Sequence, residues 1–111
     1  MNTLRTIDQE KWATLTIFEQ MGNIYSEVGR SFAAKQRGSN DDLQAAKYRA
    51  IDLFDATTRA LIDNKSAKTK EVLRAKEQYL AILDDIKSST ATITALDRYF
   101  MQFALAARLN R

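Results

Sequence analysis

Residues 16–37 read TIFEQMGNIYSEVGRSFAAKQR, and this stretch decides the fold. Thr16 is followed three residues later by Glu19, the pattern of a capping box that begins a helix. Gly38 after a basic last turn predicts where the helix ends. Between these signals, apolar side chains recur every three or four residues and form one helical face: Ile17, Met21, Ile24, Val28 and Phe32. The stretch therefore predicts a long amphipathic helix.

Three more stretches show the same periodicity, and they predict helices at about residues 41–64, 67–87 and 91–109. Helices of similar length joined by short connections are typical of an antiparallel bundle. We therefore expect an all-α fold, a four-helix up-down-up-down antiparallel bundle formed by residues 16–111. Residues 1–15 are expected to be an N-terminal arm that packs on the bundle.

Composition limits the classes of protein that this chain can represent. Its 111 residues suit one domain, and its 45% hydrophobic content suits a globular protein. The chain has no Cys and no His, which excludes disulfides, Cys/His zinc sites, thiol nucleophiles and His-based acid–base catalysis. Its N-terminus lacks the apolar core of a signal peptide, and no run has the length of a membrane span. We expect a cytoplasmic protein without a membrane partner.

The fourth predicted helix is too apolar for an outer helix. Beyond its core stripe it carries a second set of large apolar side chains: Tyr99, Met101, Leu105 and Leu109. A helix that is apolar nearly all round is usually covered nearly all round. Either the arm covers it, with Trp12 as the anchor, or a second subunit does, which makes these residues the interface of a homodimer.

The first predicted helix carries two further stripes. One consists of small residues that would let another helix approach closely: Gly22, Ser26, Gly29 and Ala33. The other is polar and is where a site in this helix would lie: Gln20, Asn23, Glu27 and Arg30.

A metal site is one interpretation of the polar stripe. The second predicted helix carries polar residues in similar register: Tyr48, Asp52, Asp55 and Arg59. If the two stripes face each other, Glu27, Asp52 and Asp55 are enough to hold Mg²⁺. The alternative is two solvated faces with ordinary ion pairs. The Asp52–Asp55 spacing resembles the second metal motif of MazG-type nucleotide pyrophosphohydrolases, whose first motif this chain lacks.

A basic pole is predicted where the second predicted helix ends, the third begins and the fourth ends. It collects several cations: Lys65, Lys68, Lys70 and Arg108. Such a pole would bind an anion such as phosphate, or nucleic acid; otherwise it is a solvated lysine cluster. The net charge of +3 is by itself too small to predict nucleic-acid binding.

Three segments together resemble a group of short, uncharacterised prokaryotic helical-bundle proteins. They are Trp12 followed by Glu19-Gln20, the G-N-I-x-S-E-V-G-R segment at residues 22–30, and the A-A-R-x-N-R end at residues 106–111. The resemblance implies a helical fold and no particular activity. It marks five positions for testing: Asn23, Glu27, Arg30, Arg108 and Arg111.

The chain lacks a complete catalytic set, which favours a non-enzymatic, self-associating interaction module without a cofactor. A Mg²⁺-dependent nucleotide phosphohydrolase and an anion- or nucleic-acid-binding protein are the alternatives.

Overall fold

The computed structural model describes residues 7–85 and 89–109. These residues form helices and no strand, so the all-α class predicted from the sequence is confirmed. The helices are α1 (Gln9–Ala13), α2 (Ile17–Arg37), α3 (Asn40–Asp63), α4 (Thr69–Asp84) and α5 (Thr90–Leu109).

The ends of α2 follow from local sequence. The backbone N–H of Glu19 donates to Thr16 Oγ1 at 3.1 Å, and the N–H of Thr16 donates to Glu19 Oε1 at 2.9 Å, so the capping box is present. Gly38 ends the helix with φ of 75°, the left-handed conformation that glycine adopts without a steric penalty.

The core is built around α2, whose most extensive packing is with α3 and α5. Met21, Ile24 and Val28 of the predicted stripe are fully or almost fully buried. Helix α4 packs mainly on α3, where the Tyr79 ring lies 5.9 Å from that of Phe54. The buried apolar side chains of all four long helices therefore form one core.

The described residues contain five helices rather than the four predicted, because part of the N-terminal arm is itself helical. Helix α1 spans only five residues and begins after Asp8, whose side chain accepts from the N–H of Lys11. Its Trp12 is buried and donates from Nε1 to Thr57 Oγ1 of α3 at 2.9 Å. Helix α1 thus packs mainly against α3, whereas one interpretation of the sequence placed Trp12 on α5.

Helix α4 begins two residues later than predicted. The preceding turn contains Lys65 at φ of 52°, and Ser66 Oγ accepts from the N–H of Lys68 before the helix begins at Thr69. At the other end, Lys35 of α2 donates from Nζ to the carbonyls of Leu83, at 2.6 Å, and Asp85, at 2.9 Å. A cation beside the last carbonyls of a helix stabilises its C-terminus. The predicted end at residue 87 lies outside the described residues.

The small-residue stripe of α2 meets a neighbouring helix at only one of its two glycines. A Cβ on Gly22 would lie 3.5 Å from Cα of Ala104, so α5 approaches closely there. A Cβ on Gly29 would meet nothing within 4 Å, and Ser26 and Ala33 are also exposed. The prediction that Gly29 seats another helix of the same chain is therefore wrong.

None of the helices in the described part of the chain is both long enough and apolar enough to cross a membrane.

The two glycines Gly29 and Gly38 provide a matched pair of substitutions. We expect Gly29→Ala to raise the free energy of unfolding by about 0.5–1 kcal/mol, because alanine favours a helix interior and the site has room for Cβ. We expect Gly38→Ala to lower it by about 1 kcal/mol, because alanine is strained at positive φ. Urea unfolding measures both changes. Effects of the same sign would contradict the different roles given to Gly29, in a helix interior with free space, and Gly38, at a positive φ.

The buried phenol of Tyr79 predicts a loss of stability in alkali. Burial raises its pKa from 10.0 to about 12, although its hydrogen bond with Ser31 opposes the rise. The unfolded chain therefore releases this proton at a lower pH than the folded chain. The contribution of the neutral phenol to the free energy of unfolding is complete below pH 10 and is lost as the pH rises through about 12.

Urea unfolding across that interval should show a shallower decline in Tyr79→Phe than in the wild type. At neutral pH the variant should be about 1 kcal/mol less stable, because Ser31 loses its donor. Tyr48→Phe, which removes an exposed hydroxyl, is the control. An unchanged pH dependence in Tyr79→Phe would show that other groups cause the decline.

Candidate functional site

Glu27 is the buried charged residue of α2. It is 8% exposed and makes ion pairs with two arginines. Its Oε2 accepts from Nε of Arg49 on α3 at 3.0 Å, and Nη1 of Arg30 lies 3.2 Å from both carboxylate oxygens. Burying a carboxylate is unfavourable unless it is paired and hydrogen-bonded, so these contacts let Glu27 occupy the α2–α3 interface.

Arg49 reaches Glu27 because of the way α3 packs on α2. Ala46 and Ala50 of α3 are completely or almost completely buried, and their small side chains bring the helices close together. Arg49 lies between them in sequence, at the edge of the buried face. The four polar residues of this helix that the metal-site interpretation would place against α2 are all exposed: Tyr48, Asp52, Asp55 and Arg59.

An open groove continues from this ion-pair cluster along α2 and α3. Its volume is about 240 Å³. It is lined by the charged residues Arg30, Arg37, Asp42 and Arg49 and by the small residues Ala33, Ala45 and Ala46. Arg37 Nη2 lies 3.3 Å from Asp42 Oδ2, and both side chains are largely exposed.

The other two members of the predicted polar stripe lie in different surroundings. Gln20 is buried and donates from Nε2 to the carbonyl of Trp12 at 2.9 Å, which holds α1 against α2. Asn23 is exposed and donates to the carbonyl of Glu19, one turn earlier in its own helix. The predicted stripe therefore has three separate parts: Gln20 anchors α1, Asn23 is exposed, and Glu27 pairs with Arg30 in the ion-pair cluster.

The three carboxylates proposed as magnesium ligands have separate surroundings. Glu27 pairs with the two arginines, Asp55 Oδ1 lies 2.7 Å from Lys76 Nζ of α4, and Asp52 is exposed. Among residues 7–85 and 89–109, no group of three or more acidic side chains is placed to hold a metal ion.

The cations of the predicted basic pole are all exposed. Lys65, Lys68 and Lys70 lie in and just after the turn between α3 and α4. Arg108 of α5 lines a second groove, of about 260 Å³, beside Glu19 and Asn23 of α2. Arg111, the last position marked by the resemblance, lies outside the described residues.

One side of α5 is apolar and exposed. Met101, Leu105 and Leu109 are 38%, 49% and 85% exposed. The fourth residue of the predicted interface, Tyr99, is half-buried and donates from its hydroxyl to Glu71 Oε1 of α4 at 3.0 Å. Burial first, and then the Glu71 carboxylate, raise the pKa of Tyr99 above its ordinary value. Tyr99 thus joins α4 to α5, whereas the other three side chains point into solvent.

Sequence reasoning missed Arg37 and Arg49. The sequence places Arg37 in the basic last turn of the first predicted helix and gives no sign that it lines a groove. The available signal for Arg49 was its position between Ala46 and Ala50, two small apolar residues four apart and therefore on one face of the second predicted helix. A cation at the edge of such a stripe is well placed to meet a carboxylate at the edge of the stripe on the facing helix.

No protein-family model matches the chain, and neither a curated protein nor a solved structure matches it. Its function must therefore be inferred from its own geometry.

The two partners of Glu27 should contribute unequally to stability. We expect Arg49→Met to lower the free energy of unfolding by about 1.5–3 kcal/mol, because it removes the less exposed partner, 32% against 65% for Arg30. Arg30→Met should cost less than about 1 kcal/mol, as is usual for an exposed i,i+3 pair. Urea unfolding at neutral pH measures both losses of free energy. Equal losses would mean that the Glu27–Arg49 contact between α2 and α3 is no stronger than the Glu27–Arg30 contact within α2.

Proposed function

We propose that this protein is a non-enzymatic helical module that associates with a second copy of itself through α5. The observation that carries the proposal is the exposed row Met101, Leu105 and Leu109. These residues are spaced four apart, so they lie on one helix face. Removing such a row from water is favourable by about 25 cal/mol per Å² of apolar surface.

The opposite face of α5 is buried in the core, which holds the exposed apolar row in a fixed position for association. Leu96, Phe100 and Phe103 are buried in the core, and the Phe103 ring lies 6.4 Å from that of Phe18 on α2. Helix α5 is therefore held by the chain's own core while its outer row remains available. A two-fold dimer would bring this row against the same row of the other copy, the commonest symmetry among homo-oligomers.

The proposal includes an up-down-up-down antiparallel arrangement of α2, α3, α4 and α5, with α1 as part of the arm. Three cross-helix contacts support it. Lys47, early in α3, pairs with Asp84 at the end of α4; Lys35, near the end of α2, donates to the carbonyl of Leu83 near the end of α4; and Phe18, at the start of α2, packs against Phe103, late in α5.

The engagement of the carboxylates favours an interaction module over the magnesium-dependent hydrolase. Hydrolysis would need Glu27, Asp52 and Asp55 around one ion, but Glu27 and Asp55 already have cationic partners on other helices. The apolar row on α5, in contrast, has large side chains in solvent.

Light scattering coupled to size-exclusion chromatography tests self-association. We expect a dimer for the wild type at micromolar concentrations and a monomer for Leu105→Glu. A carboxylate placed in a two-fold apolar contact appears twice and should weaken association by about tenfold or more.

Ile62→Glu is the matched control, because Ile62 is also a large exposed apolar residue but belongs to α3. This variant should remain dimeric, and circular dichroism should show that both variants stay helical. A monomeric wild type, or equal weakening by the two substitutions, would reject α5 as the interface.

A further inference from the structure

The α2–α3 groove is lined by three arginines. Arg30 and Arg37 come from α2 and Arg49 comes from α3. The groove exists because the helix surfaces between these arginines carry only alanine, at Ala33, Ala45 and Ala46. Long cationic side chains therefore surround a depression that no bulky side chain fills.

Buried Glu27 restricts how two of these arginines are oriented. Its contact with Arg49 uses Nε, so the terminal nitrogens of that guanidinium are not engaged by this carboxylate. Arg30 is held through Nη1 alone. A guanidinium whose orientation is already restricted loses less conformational entropy when it binds a ligand than a free side chain does.

The charges around the groove favour an anion. Three arginines face two carboxylates, Glu27 and Asp42, which leaves an excess of one positive charge. Glu27 lies beneath the surface, whereas Asp42 is exposed at the rim beside Arg37. Asp42 is thus the carboxylate that would repel an incoming anion. It now pairs with Arg37, so the anion would compete with Asp42 for that arginine.

We propose that this groove binds the phosphate group of a small phosphorylated ligand. Planar guanidinium groups bind tetrahedral oxyanions through paired, charge-assisted hydrogen bonds, which suits phosphate better than chloride. The groove's volume of about 240 Å³ lies below the range usual for drug-sized ligands, so a compact ligand is expected. The site is separate from α5 and does not depend on self-association.

Calorimetric titration with inorganic pyrophosphate at low ionic strength tests the proposal on the full chain. We expect saturable binding by the wild type. Arg37→Gln should weaken it by about tenfold or more, the usual effect of losing a charged hydrogen bond. Asp42→Asn should strengthen it several-fold, because it removes the rim carboxylate and frees Arg37.

Neither substitution touches Glu27, and both residues are largely exposed, so both variants are expected to fold. Lys68→Gln is the matched control: it removes one exposed positive charge from the turn between α3 and α4 and should change affinity by less than about twofold. The absence of saturable binding by the wild type would overturn the proposal. Equal weakening by Arg37→Gln and Lys68→Gln would also overturn it, since that would indicate attraction to the overall charge.

Discussion

The packing of the long helices depends on the buried hydroxyl of Tyr79, which needs a hydrogen-bond partner inside the core. Tyr79 of α4 is completely buried and donates to Ser31 Oγ of α2 at 2.8 Å, while Ser31 donates onward to the carbonyl of Val28 at 2.7 Å. A buried hydroxyl without a partner would be unfavourable, so this hydrogen bond fixes the position of α4 along the axis of α2. The Tyr79 ring also contacts Phe54 of α3, which contacts Phe100 of α5, and this chain of contacts joins all four long helices.

Around this interior, the described helices present two surfaces suited to binding, each through a different kind of interaction. The outer row of α5 presents apolar side chains to water, which favours association with another apolar surface. The α2–α3 groove presents guanidinium groups, which favours an anion. Both surfaces lie on helices that the core already holds, so binding at either requires little reordering of the backbone.

Sequence reasoning succeeded where the relevant interactions are local. The Thr16–Glu19 capping box, the end of α2 at Gly38 and the buried stripe of α2 follow from residues three or four apart. It missed α1, because five residues are too few to show a helical period and the helix depends on Trp12 docking against Thr57. It also assigned Gly29 to a helix contact that only Gly22 makes, since spacing alone does not tell which part of a stripe a neighbouring helix crosses.

By itself, the sequence determined that this chain is helical, where its longest helices begin and end, and which classes of chemistry it lacks. These properties depend on residue types and on neighbours within one helical turn. Only the tertiary structure decided that Glu27 meets Arg49 rather than Asp52 or Asp55, and that Met101, Leu105 and Leu109 face water. Successive residues of a helix point about 100° apart, so a small rotation of α3 or α5 exchanges the side chains that face the core for those that face solvent. That rotation is set by the packing of Ala46, Ala50, Phe54 and Phe100, which are distant in sequence from the residues they contact.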